Sequence, residues 1–169
     1  MNTPGAERIV AAHRPAVPAG KLLGMGTIRN PEEARKALAA GAMFLVTPNF
    51  DPEVIGLARK NGIPVIAGAL TPTEVYAAWQ AGADLIKVFP CGSLGGPQYI
   101  RELRGPFDHI PLAAVGGVTL ANLRDYFAAG ATAVGVGASL FGKEALATQN
   151  IPEIAANVKK FIEQWRAID

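Results

Sequence analysis

Three segments of this chain nearly copy one another: A-A-G-A-M-F-L-V-T-P at 39–48, Q-A-G-A-D-L-I-K-V-F-P at 80–90 and A-A-G-A-T-A-V-G-V-G at 128–137. Each closes a helical stretch on Ala-Gly, glycine being the residue that most readily takes the left-handed conformation ending a helix. Each then enters a short apolar run of the kind that fills a buried parallel strand. N-G-I-P-V-I-A-G at 61–68 follows the same grammar. A chain built this way alternates strand and helix and is confined to a parallel sheet.

Helix starts fill the gaps. Pro31-Glu32-Glu33 after Asn30, Asp51-Pro52-Glu53, Thr71-Pro72-Thr73-Glu74 and Thr119-Leu120-Ala121-Asn122 put capping residues, proline or acids where orphan N–H groups sit. Thr71 with Glu74 fits a capping box. A last helix is expected over about 152–167, with Ile154, Val158, Phe161, Ile162 and Trp165 at amphipathic spacing. Six βα units result, with strands near 21–25, 43–47, 63–67, 84–89, 111–115 and 132–136, after a leading helix near 4–13. The expected fold class is α/β, a (β/α)8 TIM-barrel type in one domain, 1–169, incomplete at its N-terminus by two strands and one helix.

Composition narrows the function. Half the residues are hydrophobic and 18% charged, which excludes a disordered chain. Net charge is +2 without a basic run, so no nucleic acid is expected as a partner. The apolar runs are strand-sized, so no membrane span is expected. Glu7 and Arg8 stand where an export signal needs an apolar core, and Cys91 is the one cysteine, so the expected compartment is the cytoplasm. His13 and His109 give no ligand spacing, and neither metal nor cofactor is expected. Cys91 reads as structural, because no histidine stands ready to activate it.

In parallel α/β proteins the chemistry sits where strands end. Those positions hold Thr27, Thr47-Pro48-Asn49, Gly68, Lys87 to Pro90, Val115-Gly116-Gly117 and Gly135-Val136-Gly137-Ala138-Ser139. Two glycine clusters after the last two strands suit an anion such as phosphate, with 138–141 as a short helix facing it. The plainer reading makes these glycines tight turns. Lys87 interrupts the apolar strand around Leu85, Ile86, Val88 and Phe89. Burial would lower its pKa and make it a nucleophile towards carbonyl carbon. The alternatives are a phosphate-binding, salt-bridged or snorkelling lysine.

At these residues the chain resembles the class I 2-keto-3-deoxy-6-phosphogluconate (KDPG) and 2-keto-3-deoxy-6-phosphogalactonate (KDPGal) aldolases. G-M-G-T at 24–27, V-T-P-N at 46–49, I-K-V-F-P at 86–90, G-G-P-Q-Y at 95–99, A-V-G-G-V-T at 114–119 and G-V-G-A-S-L at 135–140 carry the resemblance, in order. It implies a trimeric or otherwise homo-oligomeric (β/α)8 lyase that splits a phosphorylated keto acid into pyruvate and glyceraldehyde 3-phosphate. Lys87 would be the Schiff-base lysine. Thr27 and Pro48 would line the pyruvyl end, Phe89 would pack against the imine, and Gly116, Gly117 and Gly137 would hold phosphate. Valine at 115 and alanine at 138 depart from the usual threonine and serine. The first is similar to the KDPGal branch. The second removes a phosphate-binding hydroxyl unless Ser139 compensates. Met1-Asn2-Thr3-Pro4 resembles the end of Glu-(Ile/Val)-(Thr/Pro)-(Leu/Met)-(Arg/Asn)-(Thr/Ser)-Pro, whose glutamate, the general acid/base, would lie three residues before Met1. The expectation is therefore weak turnover by the 169-residue chain. The alternative is an impaired remnant that binds phosphate ligands or serves in assembly.

Overall fold

Each glycine stop closes its helix through a pair of backbone bonds. Gly41 N–H donates to Leu38 O at 2.9 Å and Ala42 N–H to Ala37 O at 3.1 Å; the same pair recurs at Gly62, Gly82 and Gly130. Gly41, Gly82 and Gly130 have φ of +83°, +90° and +95°, the left-handed turn that satisfies the last carbonyls and starts the next strand. The computed structural model describes residues 2–168. Met1, where the resemblance begins, and Asp169 lie outside them.

The elements are α1 (Ala6–His13), α2 (Pro31–Ala39), β1 (Leu45–Val46), α3 (Pro52–Lys60), β2 (Val65–Ala69), α4 (Pro72–Gln80), β3 (Leu85–Val88), α5 (Pro97–Arg104), β4 (Leu112–Val115), α6 (Leu123–Ala128), β5 (Ala133–Gly135), α7 (Ala138–Phe141), α8 (Lys143–Ala147) and α9 (Ile151–Arg166). From β1 to β5 strand and helix alternate as the repeated segments predict. The side chains of Asn30 and Asp51 accept from first-turn N–H groups, and Thr71 with Glu74 completes the capping box. A 3-10 turn, Cys91–Leu94, follows β3.

The described residues group into two compact units, one ending at Lys87 and one starting at Val88. In the first, β1 and β2 run parallel, Leu45 opposite Val65 and Val46 opposite Ile66. Leu45, Val65, Ala67 and Ile86 are buried with the helix residues Ala37, Val54, Ala58, Val75 and Ala78. In the second, β4 and β5 are parallel, with Val115 opposite Gly135, and Ile100, Leu103, Leu123 and Tyr126 are buried.

Two expectations change. The stretch 21–25 is not a strand: it meets β1 at one bridge, Met25 to Leu45. Thr27 turns into the left-handed region at φ +57°, which ends an extended run. Five strands, not six, are found among the described residues, and the fold is α/β with parallel pairing rather than six barrel units. In α9 only Phe161 is buried; Ile162 and Trp165 remain 38% and 54% exposed. The helix packs on α6 and α7 along a narrower stripe than its apolar spacing predicts.

Candidate active site

β3 carries a charge between buried neighbours. Ile86 and Val88 are fully buried, while Leu85 and Lys87, on the opposite face of the strand, are half-buried. Loss of water around the Lys87 ammonium pushes its pKa below the ordinary lysine value. More of it is therefore the neutral amine, the nucleophilic form.

Elsewhere in the first unit, the end of β1 is held by a buried hydroxyl. Thr47 is 1% exposed. Its Oγ1 donates to Asn49 O at 2.6 Å and accepts from Gly68 N–H at 2.9 Å. This brings the Pro48 carbonyl so close to Gly68 that a Cβ there would sit 2.2 Å from the Pro48 carbonyl carbon. Sequence reasoning sets Thr47 at a strand end but gives the site role to Pro48, since residue type alone does not mark a threonine as buried. Thr27 closes the preceding turn with its β-branched side chain on a left-handed backbone. Such strained residues gather at functional sites.

The second unit holds a cleft of about 360 Å³. Phe89, Val115, Gly116, Gly117, Gly137, Ala138 and Ser139, all singled out from sequence, line it together with Val118, Thr119 and Gly135. Lys87, Thr27 and Pro48 belong to the first unit. No charged side chain among the described residues lines the cleft, so an anion there would be met by backbone N–H groups and hydroxyls. Gly116 and Gly117 lie at φ +94° and +77°. Gly116 O accepts from Gly92 N–H at 3.0 Å. Asn122 Nδ2 donates to Gly117 O at 2.9 Å and its Oδ1 accepts from Thr119 N–H at 2.8 Å. That double tie keeps 119–122 out of helix, so α6 starts at Leu123, later than expected. Among the described residues, Gly117 N–H meets no protein acceptor. Ser139 Oγ donates to Val118 O at 2.8 Å, so its one hydrogen is directed at the protein.

Cys91 is buried, with Sγ 3.5 Å from Gly96 O, and burial pushes its thiol up to about 11. At neutral pH it is a thiol packed in the core rather than a nucleophile. No group of three or more His, Cys, Asp or Glu side chains among the described residues is placed to hold a metal. No helix there is long and apolar enough to cross a membrane. A wider cleft of about 520 Å³, lined by Arg14, Leu38, Met43 and Ile63 among others, lies in the first unit where helices run into strands. In barrel-type proteins that end serves stability rather than chemistry.

The KDPG and KHG aldolase family model matches residues 1–157. The chain belongs to that family. Its members' names mark it as one of lyases. The 2-dehydro-3-deoxy-6-phosphogalactonate aldolase of Escherichia coli K12 is 36% identical over 168 residues, covering 98% of this chain and 79% of that protein. A solved native KDPGal structure superposes with a TM-score of 0.84 at 35% identity, over 98% of this chain and 80% of that one. The KDPG aldolase of Legionella pneumophila, solved with pyruvate captured as a covalent carbinolamine, gives a TM-score of 0.83 at 26% identity, over 93% of this chain and 76% of that one.

Proposed function

We propose that this aldolase-family chain carries out class I chemistry on a phosphorylated 2-keto-3-deoxy sugar acid, KDPGal or KDPG, giving pyruvate and glyceraldehyde 3-phosphate. The observation that carries the reading is Lys87, a strand lysine whose ammonium burial disfavours. Its Nζ adds to the C2 carbonyl carbon, and the carbinolamine loses water to give a protonated imine. The C4 hydroxyl proton leaves to a base, C4 becomes an aldehyde carbon, and the C3–C4 bonding electrons pass into the imine. The resulting enamine takes a proton at C3. Water then hydrolyses the imine, freeing pyruvate and restoring the amine.

Thr27 and Pro48 would line the pyruvyl end and Phe89 the imine. Gly116, Gly117 and Gly137 would meet the phosphate. With Ala138 lacking a hydroxyl and the Ser139 hydrogen directed at Val118, backbone N–H groups would do most of the holding. A (β/α)8-type barrel, a homotrimer or other homo-oligomer, and a cytoplasmic setting complete the proposal. It is tested by coupled measurement of pyruvate released from KDPGal and from KDPG. Release supports the reading. A covalent pyruvate adduct without release would favour the impaired-remnant reading, and absence of both would refute class I chemistry and leave a phosphate-binding or assembly role.

Position 115 should bias the choice of substrate. The Val115 γ-carbons lie over Gly135, at 2.7 and 3.1 Å from where its Cβ would be, so valine fills that wall. Threonine is similar in shape and adds a hydroxyl able to bond a substrate hydroxyl in one C4 configuration, typically worth about 1 kcal/mol net. Val115→Thr is expected to shift the kcat/KM ratio about fivefold towards KDPG. An unchanged ratio removes the residue from substrate choice.

A further inference from the structure

We infer that Thr47 is a positioning residue for the pyruvyl end of the site, acting through the Pro48–Asn49 backbone; the inference rests on the proposed function. Thr47 is the buried polar residue among those described, at 1% exposure; its hydroxyl makes one bond within its own loop and one to the neighbouring parallel strand. The donated bond, 2.6 Å to Asn49 O, curls the chain back around Pro48. The accepted bond, 2.9 Å from Gly68 N–H, fastens that curl to β2, and it is itself buried.

β1 supplies only Leu45 and Val46, and its ladder continues to Thr47 N–H, which donates to Ile66 O at 3.0 Å. Beyond that point the hydroxyl takes over the role of the ladder. The next N–H in line for β2 belongs to Asn49, because Val46 and Pro48 face the other side of the strand, where Val46 N–H donates to Met25 O. Without the hydroxyl, Gly68 N–H would be buried and unpaired, and the 48–49 peptide would be free to lift away from β2. A buried unpaired donor is costly, so the loop would move to let water in. Lys87 lies on a different strand, and its amine would keep its reactivity. The expected signature is weaker affinity for pyruvate with unaltered capacity to form the adduct.

The experiment is borohydride trapping across pyruvate concentrations in wild-type, Thr47→Ser, Thr47→Cys and Thr47→Val chains, with amide exchange followed at Gly68. Serine keeps both bonds and is expected to match wild type. Valine keeps the shape and loses both; its half-saturating pyruvate concentration should rise about tenfold at unchanged maximum adduct, with faster exchange at Gly68. Cysteine, a weak donor and acceptor, should fall between, and keeps the test open if the valine variant does not fold. Valine equal to wild type, serine as poor as valine, or a maximum adduct that falls only with the folded fraction would each overturn the inference. Absence of adduct in wild type would instead refute the assignment of Lys87, and this inference with it.

Discussion

Lys87→Ala is expected to abolish covalent capture of pyruvate and to lower any turnover by roughly 10³-fold or more, the scale on which loss of a covalent nucleophile acts. Borohydride treatment in the presence of pyruvate should add one pyruvyl mass to the wild-type chain and none to the variant. An adduct of equal yield in both would move the imine to another lysine. The pH dependence follows from burial. The charged form of Lys87 is the one disfavoured, so its pKa lies below the ordinary 10.5. The neutral amine accumulates as pH rises through that lowered value. The rate of adduct formation should therefore climb with pH and level off before 10.5. A rate still climbing at that pH would mean an unperturbed amine.

Gly68→Ala is expected to destabilise the chain by about 3 kcal/mol or more, at or above the usual range for overpacking. Its new Cβ would lie 2.2 Å from the Pro48 carbonyl carbon, 2.4 Å from the Pro48 oxygen and 2.5 Å from Asn49 N. All three are backbone atoms, which cannot swing aside as a side chain does. Relief would require lifting 48–49 off β2 and breaking the Thr47 to Gly68 bond. The control is Gly56→Ala in the middle of α3, where a Cβ would meet nothing within 4 Å. There alanine should stabilise by roughly 0.5–1 kcal/mol, because it loses less backbone entropy on folding into helix. Thermal melting of the two variants should move in opposite directions. A Gly68→Ala chain that melts with wild type would show that 48–49 does not sit on Gly68 in solution.

Much of this molecule is local in origin. Asn30, Asp51 and Thr71 accept from N–H groups two or three residues on, so they mark helix starts wherever the chain goes. Gly41, Gly82 and Gly130 stop helices through bonds spanning no more than five residues. The alternation of strand and helix, and a lysine within an apolar strand, follow from such short-range rules. So does the cluster of glycines and small residues lining the second unit's cleft, because it lies at predictable strand ends.

What sequence alone did not determine depends on contacts between residues far apart in the chain. Residues 21–25 have strand composition, but they yield one bridge at Met25, since pairing depends on neighbours and on the turn at Thr27. Ser139 was a candidate phosphate donor until its hydrogen met Val118 O, 21 positions away. Thr47 and Gly68 are likewise 21 positions apart, and neither residue type announces a buried bond. Gly56 and Gly68 are the same letter, one beside open space and one against the Pro48 backbone. The sequence by itself determined the alternation of strand and helix, the capped helix starts at Asn30, Asp51 and Thr71, the glycine stops and the residues available for chemistry, because these rest on hydrogen bonds and φ preferences within a turn or two. Only the tertiary structure decided which hydroxyl was spent on the backbone, which glycine had no room for a methyl group and which apolar face stayed exposed, because those depend on close packing across the fold.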